Sequence, residues 1–209
     1  MNARLSAMHR ILDRPLSVPA RLLVLAAVAA ILIGGTLPLW RIRLVAPQYA
    51  EGLSLDMYAY QIVAGNAGQD LAEINTLNHY IGMKPIVQAD FLEMKLLPFA
   101  IGVFALLGLR AAAVGRVMSV VDLTVTFAYF GAFSLGSFAY RLYTYGHQLD
   151  PRAPMKIEPF MPVVVGSQQI ANFVQTSLPL AGTICMGLFL IGLLAALWTS
   201  AREARREAL

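Results

Sequence analysis

The chain has 209 residues, of which 58% are hydrophobic and only 13% charged, with a formal net charge of +4 and a mean hydropathy of +0.63. That balance is too apolar for a soluble domain of this length and describes an integral membrane protein. The single cysteine, Cys185, sits in an apolar run, which excludes a disulfide framework or a cysteine metal site, and arginines without interleaved aromatics make no case for nucleic acid.

A basic tail, residues 1–19, carries Arg4, Arg10 and Arg14, with Arg21 just beyond it, and leads into a first apolar stretch at 20–40. A helix needs ~20 such residues to cross the hydrocarbon core. Val28-Ala29-Ala30 is a poor cleavage site and the run continues well past it to Trp40, so the stretch reads as an uncleaved anchor rather than a signal peptide.

Loop one covers 41–95. It begins with alternating Arg41-Ile42-Arg43-Leu44, and Leu53 to Val63 suits a short strand or an interfacial helix. Gly65-Asn66-Ala67-Gly68 is a turn. The spacing of Leu71, Ile74, Leu77, Asn78 and Ile81 then predicts a helix from Asp70 to Ile81, with Asp70 as its cap, Glu73 three residues on, and Gly82 as its stop. Asn75, Asn78, His79 and Met83 cluster at its end, and His79 and Met83 are neighbours if the helix reaches that far.

Three further spans are expected at 96–115, 117–140 and 177–199. Arg110 interrupts the second and has to snorkel to the nearer interface. Asp122 is the one acidic residue inside a predicted span. It is expected to pair with Arg110 or Arg116 in preference to relaying protons, because ionisable groups in a membrane are costly alone. Ala132, Gly136 and Ser137 offer a small-residue face for helix packing, and Phe127, Phe130, Phe133, Phe138 and Tyr140 an aromatic one. Loop two, 141–176, contains Pro151, Pro154, Pro159 and Pro162 and is expected to be mostly irregular. A short tail, 200–209, follows the last span.

With four spans, Arg4, Arg10, Arg14, Arg21, Arg110, Arg116, Arg202, Arg205 and Arg206 share one side, which the positive-inside rule makes cytoplasmic. The expected fold is all-α: an integral membrane protein of four transmembrane helices, both termini cytoplasmic, with a small extracytoplasmic cap formed by the two loops.

Several strings, among them Leu39-Trp40-Arg41-Ile42, Ala46-Pro47-Gln48-Tyr49, Asn75-Thr76-Leu77-Asn78-His79-Tyr80-Ile81-Gly82-Met83, Tyr145-Gly146-His147-Gln148-Leu149-Asp150-Pro151 and Asn172-Phe173, resemble a family of small multi-span bacterial membrane proteins encoded near nitrous oxide reductase and its copper-supply factors. The resemblance covers the two outer segments far more than the spans. It implies a bacterial inner-membrane location and a role in denitrification, around periplasmic copper or electron supply to a terminal reductase, and it names no catalytic residue. The chain departs from that pattern at Ala171, where the family tends to carry a lysine before the Asn-Phe pair.

Cu(I) favours thioether and imidazole ligands, and His79, Met83 and His147, with Asp150 to orient an imidazole, form a candidate metal set; Met57, Met94, Met155 and Met161 extend the inventory. The competing readings are a structural His79 bonded to Asn78 or Asp150, and proton or quinol chemistry at the histidines. Asp150 before Pro151 also suits a simple turn. No haem is expected, since no histidine falls in a span and His9 lies in the tail. The resemblance and the His/Met inventory together favour a non-enzymatic accessory protein for a periplasmic copper reductase. The alternative is a structural or assembly subunit of a membrane respiratory complex, and a quinol-linked enzyme ranks third.

Overall fold

The computed structural model describes residues 12–170 and 172–207. Arg4, His9, Arg10 and Ala171, each singled out above, lie outside the described residues. The elements in order are α1 Val18–Thr36, β1 Trp40–Ala46, β2 Tyr49–Met57, β3 Ile62–Ala64, α2 Gln69–Tyr80, α3 Glu93–Val114, α4 Val117–His147, β4 Gly166–Ile170, β5 Phe173–Pro179 and α5 Ala181–Glu207. Four of the helices, α1, α3, α4 and α5, are long and apolar enough to cross a membrane. They overlap the four expected spans, although α1 ends at Thr36 and leaves Trp40 to β1, α4 runs on to His147, and α5 starts after Pro179 rather than at Ser177.

The chain divides into two compact units. One comprises residues up to Gly34, Phe99–Ala132 and from Cys185 on; the other comprises Gly35–Pro98 and Phe133–Ile184. The first unit is helical, and its interior is built from side chains that interlock across helices. Phe127 meets Phe104 edge-on at 5.1 Å and Phe189 at 4.7 Å, and Val24, Ile31 and Leu193 are fully enclosed. Its outward residues are as apolar as its inward ones, Phe99, Leu106 and Tyr129 among them, which is the inverse of a water-facing helix.

Close helix approach in this unit comes from Gly108 and Gly192. An added Cβ would lie 2.4 Å from Val28 Cγ2 at the first and 2.8 Å from Ala27 Cβ at the second. The small-residue face expected around Gly136 is not used in this way, since a Cβ there meets nothing. The aromatic set also divides: Phe127 is buried, whereas Phe133 and Tyr140 are among the most exposed side chains.

The second unit corrects the all-α expectation. It holds a five-stranded antiparallel sheet in the order β3-β2-β1-β5-β4. Period-two alternation in β1 buries Trp40, Ile42, Leu44 and Ala46 on one face. Across that face Leu44 pairs with Leu53 and Gln175, and Ile42 with Leu55 and Ser177. Two of the six inward positions of this central patch are therefore polar, and both lie on β5, which hides it from a hydropathy reading. Ser177 is satisfied on both sides, accepting from the Trp40 indole at 2.8 Å and donating to the Val164 carbonyl at 2.8 Å.

Helix α2 lies on this sheet. Ile74 sits in the cluster of Leu44, Leu53, Leu55, Ile81, Ile170 and Phe173, and its near-complete burial contributes about 1.5–3 kcal/mol. The expected Asp70 cap is replaced by a different arrangement: Gly68, in the left-handed region, precedes the helix. Asp70 is buried and accepts from the Ser54 amide at 2.8 Å and the Asn66 side chain at 3.0 Å, so it ties the start of α2 to β2. Loop two, expected from 141, begins as the end of α4, is irregular from Gln148 as far as Val165, as its prolines demand, and then forms the β4–β5 hairpin.

Candidate functional site

The end of α2 is a glycine-terminated stop in which two carbonyls of the last turn are satisfied by the residues that leave it. Gly82 takes φ +81°, its amide donates to the His79 carbonyl at 3.2 Å, and the Met83 amide donates to the Asn78 carbonyl at 2.8 Å. This paired bonding is the Schellman arrangement, which the sequence signalled through Gly82. It turns the chain so sharply that Met83 packs against the sheet core, while His79, four residues back, stays exposed. The expected His79–Met83 ligand pair is thereby divided between interior and surface.

Asn75 is structural. Its amide nitrogen donates to the Ile86 carbonyl at 3.1 Å and its oxygen accepts from the Ile86 amide at 2.7 Å, holding the departing chain beside α2.

The segment of loop two that carries Asp150 docks on this stop. The Asp150 amide donates to the Gly82 carbonyl at 2.8 Å, and the Met155 amide to the Tyr80 carbonyl at 2.9 Å. The Lys84 ammonium donates to Gln148 at 2.8 Å. The two histidine-bearing segments therefore do come together, within one unit. Asp150 forms the expected turn, accepting from the Arg152 amide at 2.9 Å. That amide holds its carboxyl below the ordinary range; slight desolvation opposes this, and the charges of Arg152 and of nearby His79 add to it.

His147, on the last turn of α4, donates from Nδ1 to the Tyr143 carbonyl at 2.9 Å and stacks on the Tyr143 ring at 3.7 Å. A carbonyl can only accept, so the proton of the neutral ring belongs on Nδ1 and the lone pair on Nε2. At this corner His79 and Tyr80 are exposed, His147 is half-buried and Met155 is 36% exposed. The methionine whose backbone is docked on the His79 segment is Met155, through its amide bond to the Tyr80 carbonyl, and not Met83. Its signal, one methionine in an inventory of several, was too weak to select it.

Beneath the corner, on the inward face of α2, is a small pocket of about 70 Å³. Asn78, Met57, Met83, Phe138, Tyr145 and Gln175 are among its walls. Asn78 is 5% exposed and its Nδ2 donor has no partner among the described residues, in contrast to the rule that buried polar groups are bonded. Beside the pocket Arg141 forks onto Glu93, with contacts of 2.6 and 2.8 Å, and lies over the Phe91 ring at 4.6 Å. Neither Glu93 nor Arg141 was singled out from the sequence, since 48 positions separate them.

Asp122 lies in the other unit. Its backbone carbonyl accepts from Thr126, and its side chain lines a groove with Arg110 and Arg116 without forming the ion pair expected of it. Among the described residues, no three His, Cys, Asp or Glu side chains gather into a metal-binding group.

The fold and these surfaces define a class: a protein with four helices fit to span a membrane and a compact unit built on a small antiparallel sheet. No family model, curated protein or solved structure matches the chain.

Proposed function

We propose that this protein is a non-enzymatic membrane accessory factor that handles Cu(I) for a periplasmic copper reductase of the nitrous oxide reductase kind. In this reading it spans the bacterial cytoplasmic membrane four times, both termini are cytoplasmic, and the sheet-bearing unit faces the periplasm. The observation that carries the reading is the junction of the His79 and His147 segments. There two imidazoles and the Met155 thioether belong to chain segments joined by the Gly82–Asp150 and Tyr80–Met155 hydrogen bonds. Two nitrogens and a thioether suit Cu(I). The Tyr143 carbonyl, by holding Nδ1 of His147, leaves Nε2 as the donor to a metal. Ligands that are exposed rather than enclosed suit an ion that is to be passed on, and copper is then cargo, not a resident cofactor.

The test is a Cu(I) titration of the full chain in detergent against a competing chelator, with His79→Ala, His147→Ala and Met155→Leu compared to Met83→Leu. Tight one-to-one binding weakened by the first three changes and indifferent to the fourth supports the reading. Absence of binding, or binding insensitive to both histidines, overturns it.

A second reading, a structural or assembly subunit of a respiratory complex, is favoured by the fate of the motif. Gly82 and Asp150 are spent on holding the two segments together and Asn75 on holding the departing chain beside α2, and Tyr80 is left 54% exposed beside them as a docking handle. A stoichiometric complex that survives the double change His79→Ala, His147→Ala would support it.

A further inference from the structure

The helical unit contains a groove that the copper reading does not use. It has a volume of about 280 Å³ and is lined by Asp13, Arg110, Arg116 and Asp122 together with Ser119 and apolar residues including Leu107 and Met118. Two guanidinium groups and two carboxylates thus share one concavity, and among the described residues none of the four is in an ion pair. All four are exposed, so each is free to engage a ligand, and a ligand carrying complementary charges finds both signs in one concavity.

The level of the groove is set by the chain. Helices α3 and α4 are joined by only Gly115 and Arg116, so the turn marks where both candidate spans end. The segment before α1 is pinned to this turn by Leu16 N–H to the Gly115 carbonyl at 2.7 Å and Val117 N–H to the Arg14 carbonyl at 3.1 Å. Those bonds fix Asp13 at the rim. Asp122 is five residues into α4, about 7–8 Å along its axis. That depth is close to the ~5–7 Å thickness of the polar zone on each side of a bilayer. Flanking side chains, Leu106, Leu109 and Met118, are exposed and apolar, as a surface beside acyl chains requires.

We propose that this groove binds the headgroup of a zwitterionic phospholipid bearing a primary ammonium, of the phosphatidylethanolamine type. Arg110 and Arg116 take the phosphate, Asp122 and Asp13 take the ammonium, and Ser119 stands beside them with a hydroxyl. An anionic lipid would satisfy the arginines and leave two carboxylates facing its negative charge. A choline headgroup carries the right charges but has no N–H to donate to a carboxylate.

The experiment is lipid retention and thermal stabilisation of the full chain in detergent, read by native mass spectrometry and by melting. The additions are phosphatidylethanolamine, phosphatidylglycerol, phosphatidylcholine and, separately, inorganic phosphate. Phosphatidylethanolamine is expected to be retained most and to raise the melting temperature most. Asp122→Asn is expected to weaken that binding about fivefold, the scale of one partly exposed charge contact, and to leave phosphatidylglycerol binding equal or tighter. Arg110→Gln with Arg116→Gln should remove binding of both lipids. Equal retention of all three lipids by the unaltered protein, tighter binding of phosphatidylglycerol, stabilisation by inorganic phosphate alone, or an Asp122→Asn variant with unchanged preference would each overturn the proposal. If the double arginine change prevents folding, the preference of the unaltered protein and of Asp122→Asn still decides.

Discussion

The amide of Asp150 donates to the carbonyl of Gly82 at 2.8 Å, so the two long polar segments of the chain are joined at the one residue whose backbone is left-handed at the end of α2. A Cβ at Gly82 would lie 2.9 Å from the Asp150 carbonyl oxygen and 3.1 Å from Ala153 Cβ. Gly82→Ala therefore combines left-handed strain with a clash against backbone. It is expected to cost about 2 kcal/mol or more. Faster amide exchange at Asp150 and Met155, with β1 and β5 still protected, is the expected signature. An unchanged exchange pattern would mean that the docking does not depend on this turn.

Asn75 uses both ends of its amide on Ile86. Truncation to alanine leaves a half-buried carbonyl and amide without partners, at about 1–3 kcal/mol. Asn75→Asp should do little better, since it keeps the acceptor and loses the donor. The measurement is thermal unfolding of the three proteins side by side, and an aspartate variant as stable as the original would refute the two-bond account.

Asn78→Leu replaces an unpartnered buried donor with an apolar side chain of similar size in a pocket already lined by Met57, Met83 and Phe138. The change is expected to be neutral or to stabilise by up to about 1 kcal/mol. A loss greater than that in chemical denaturation would reveal that Nδ2 is bonded in solution, for instance to water held in the ~70 Å³ pocket.

The Tyr49 hydroxyl donates to Glu73, which raises its ionisation above the ordinary tyrosine value near 10, with desolvation and the carboxylate charge acting in the same direction. A pKa higher in the folded state than in the unfolded chain contributes stability below the unfolded value, and that stability is lost as the pH rises through the folded one. Tyr49→Phe should flatten the alkaline limb of the stability profile above pH ~10 and leave the profile near neutrality parallel to the original. A melting series from neutral to strongly alkaline pH distinguishes these outcomes, and identical alkaline limbs would dismiss the contact.

The four long helices were legible because the span signal is local and strong: each needs only its own ~20 residues. Helix α2 and its glycine stop were legible for the same reason, a short-range periodicity followed by Gly82. The sheet was not. Alternation was visible at Arg41-Ile42-Arg43-Leu44, but β1 pairs on one side with β5, whose inward positions include Gln175 and Ser177 and whose end had been read as the start of the last span. Of the candidate metal residues, the meeting of the His79 and His147 segments followed from assigning both loops to one side. The separation of Met83 from His79 was not legible, because it depends on the packing of Met83 against the sheet core, a long-range contact that no local pattern encodes.

The pairing of β1 with β5 also governs the timing of assembly. Trp40 faces Pro179, so the middle of the sheet is made of strands from opposite ends of the chain. Until Phe173–Pro179 has been synthesised, the β1–β2 hairpin has an open edge along β1, and such edges invite pairing with other chains. The helical segments can form one by one as they emerge, whereas the sheet closes only in a late, long-range step. A ribosome stalled before residue 173 would therefore carry a chain whose most exposed hazard is the edge that its own C-terminal region is built to cover.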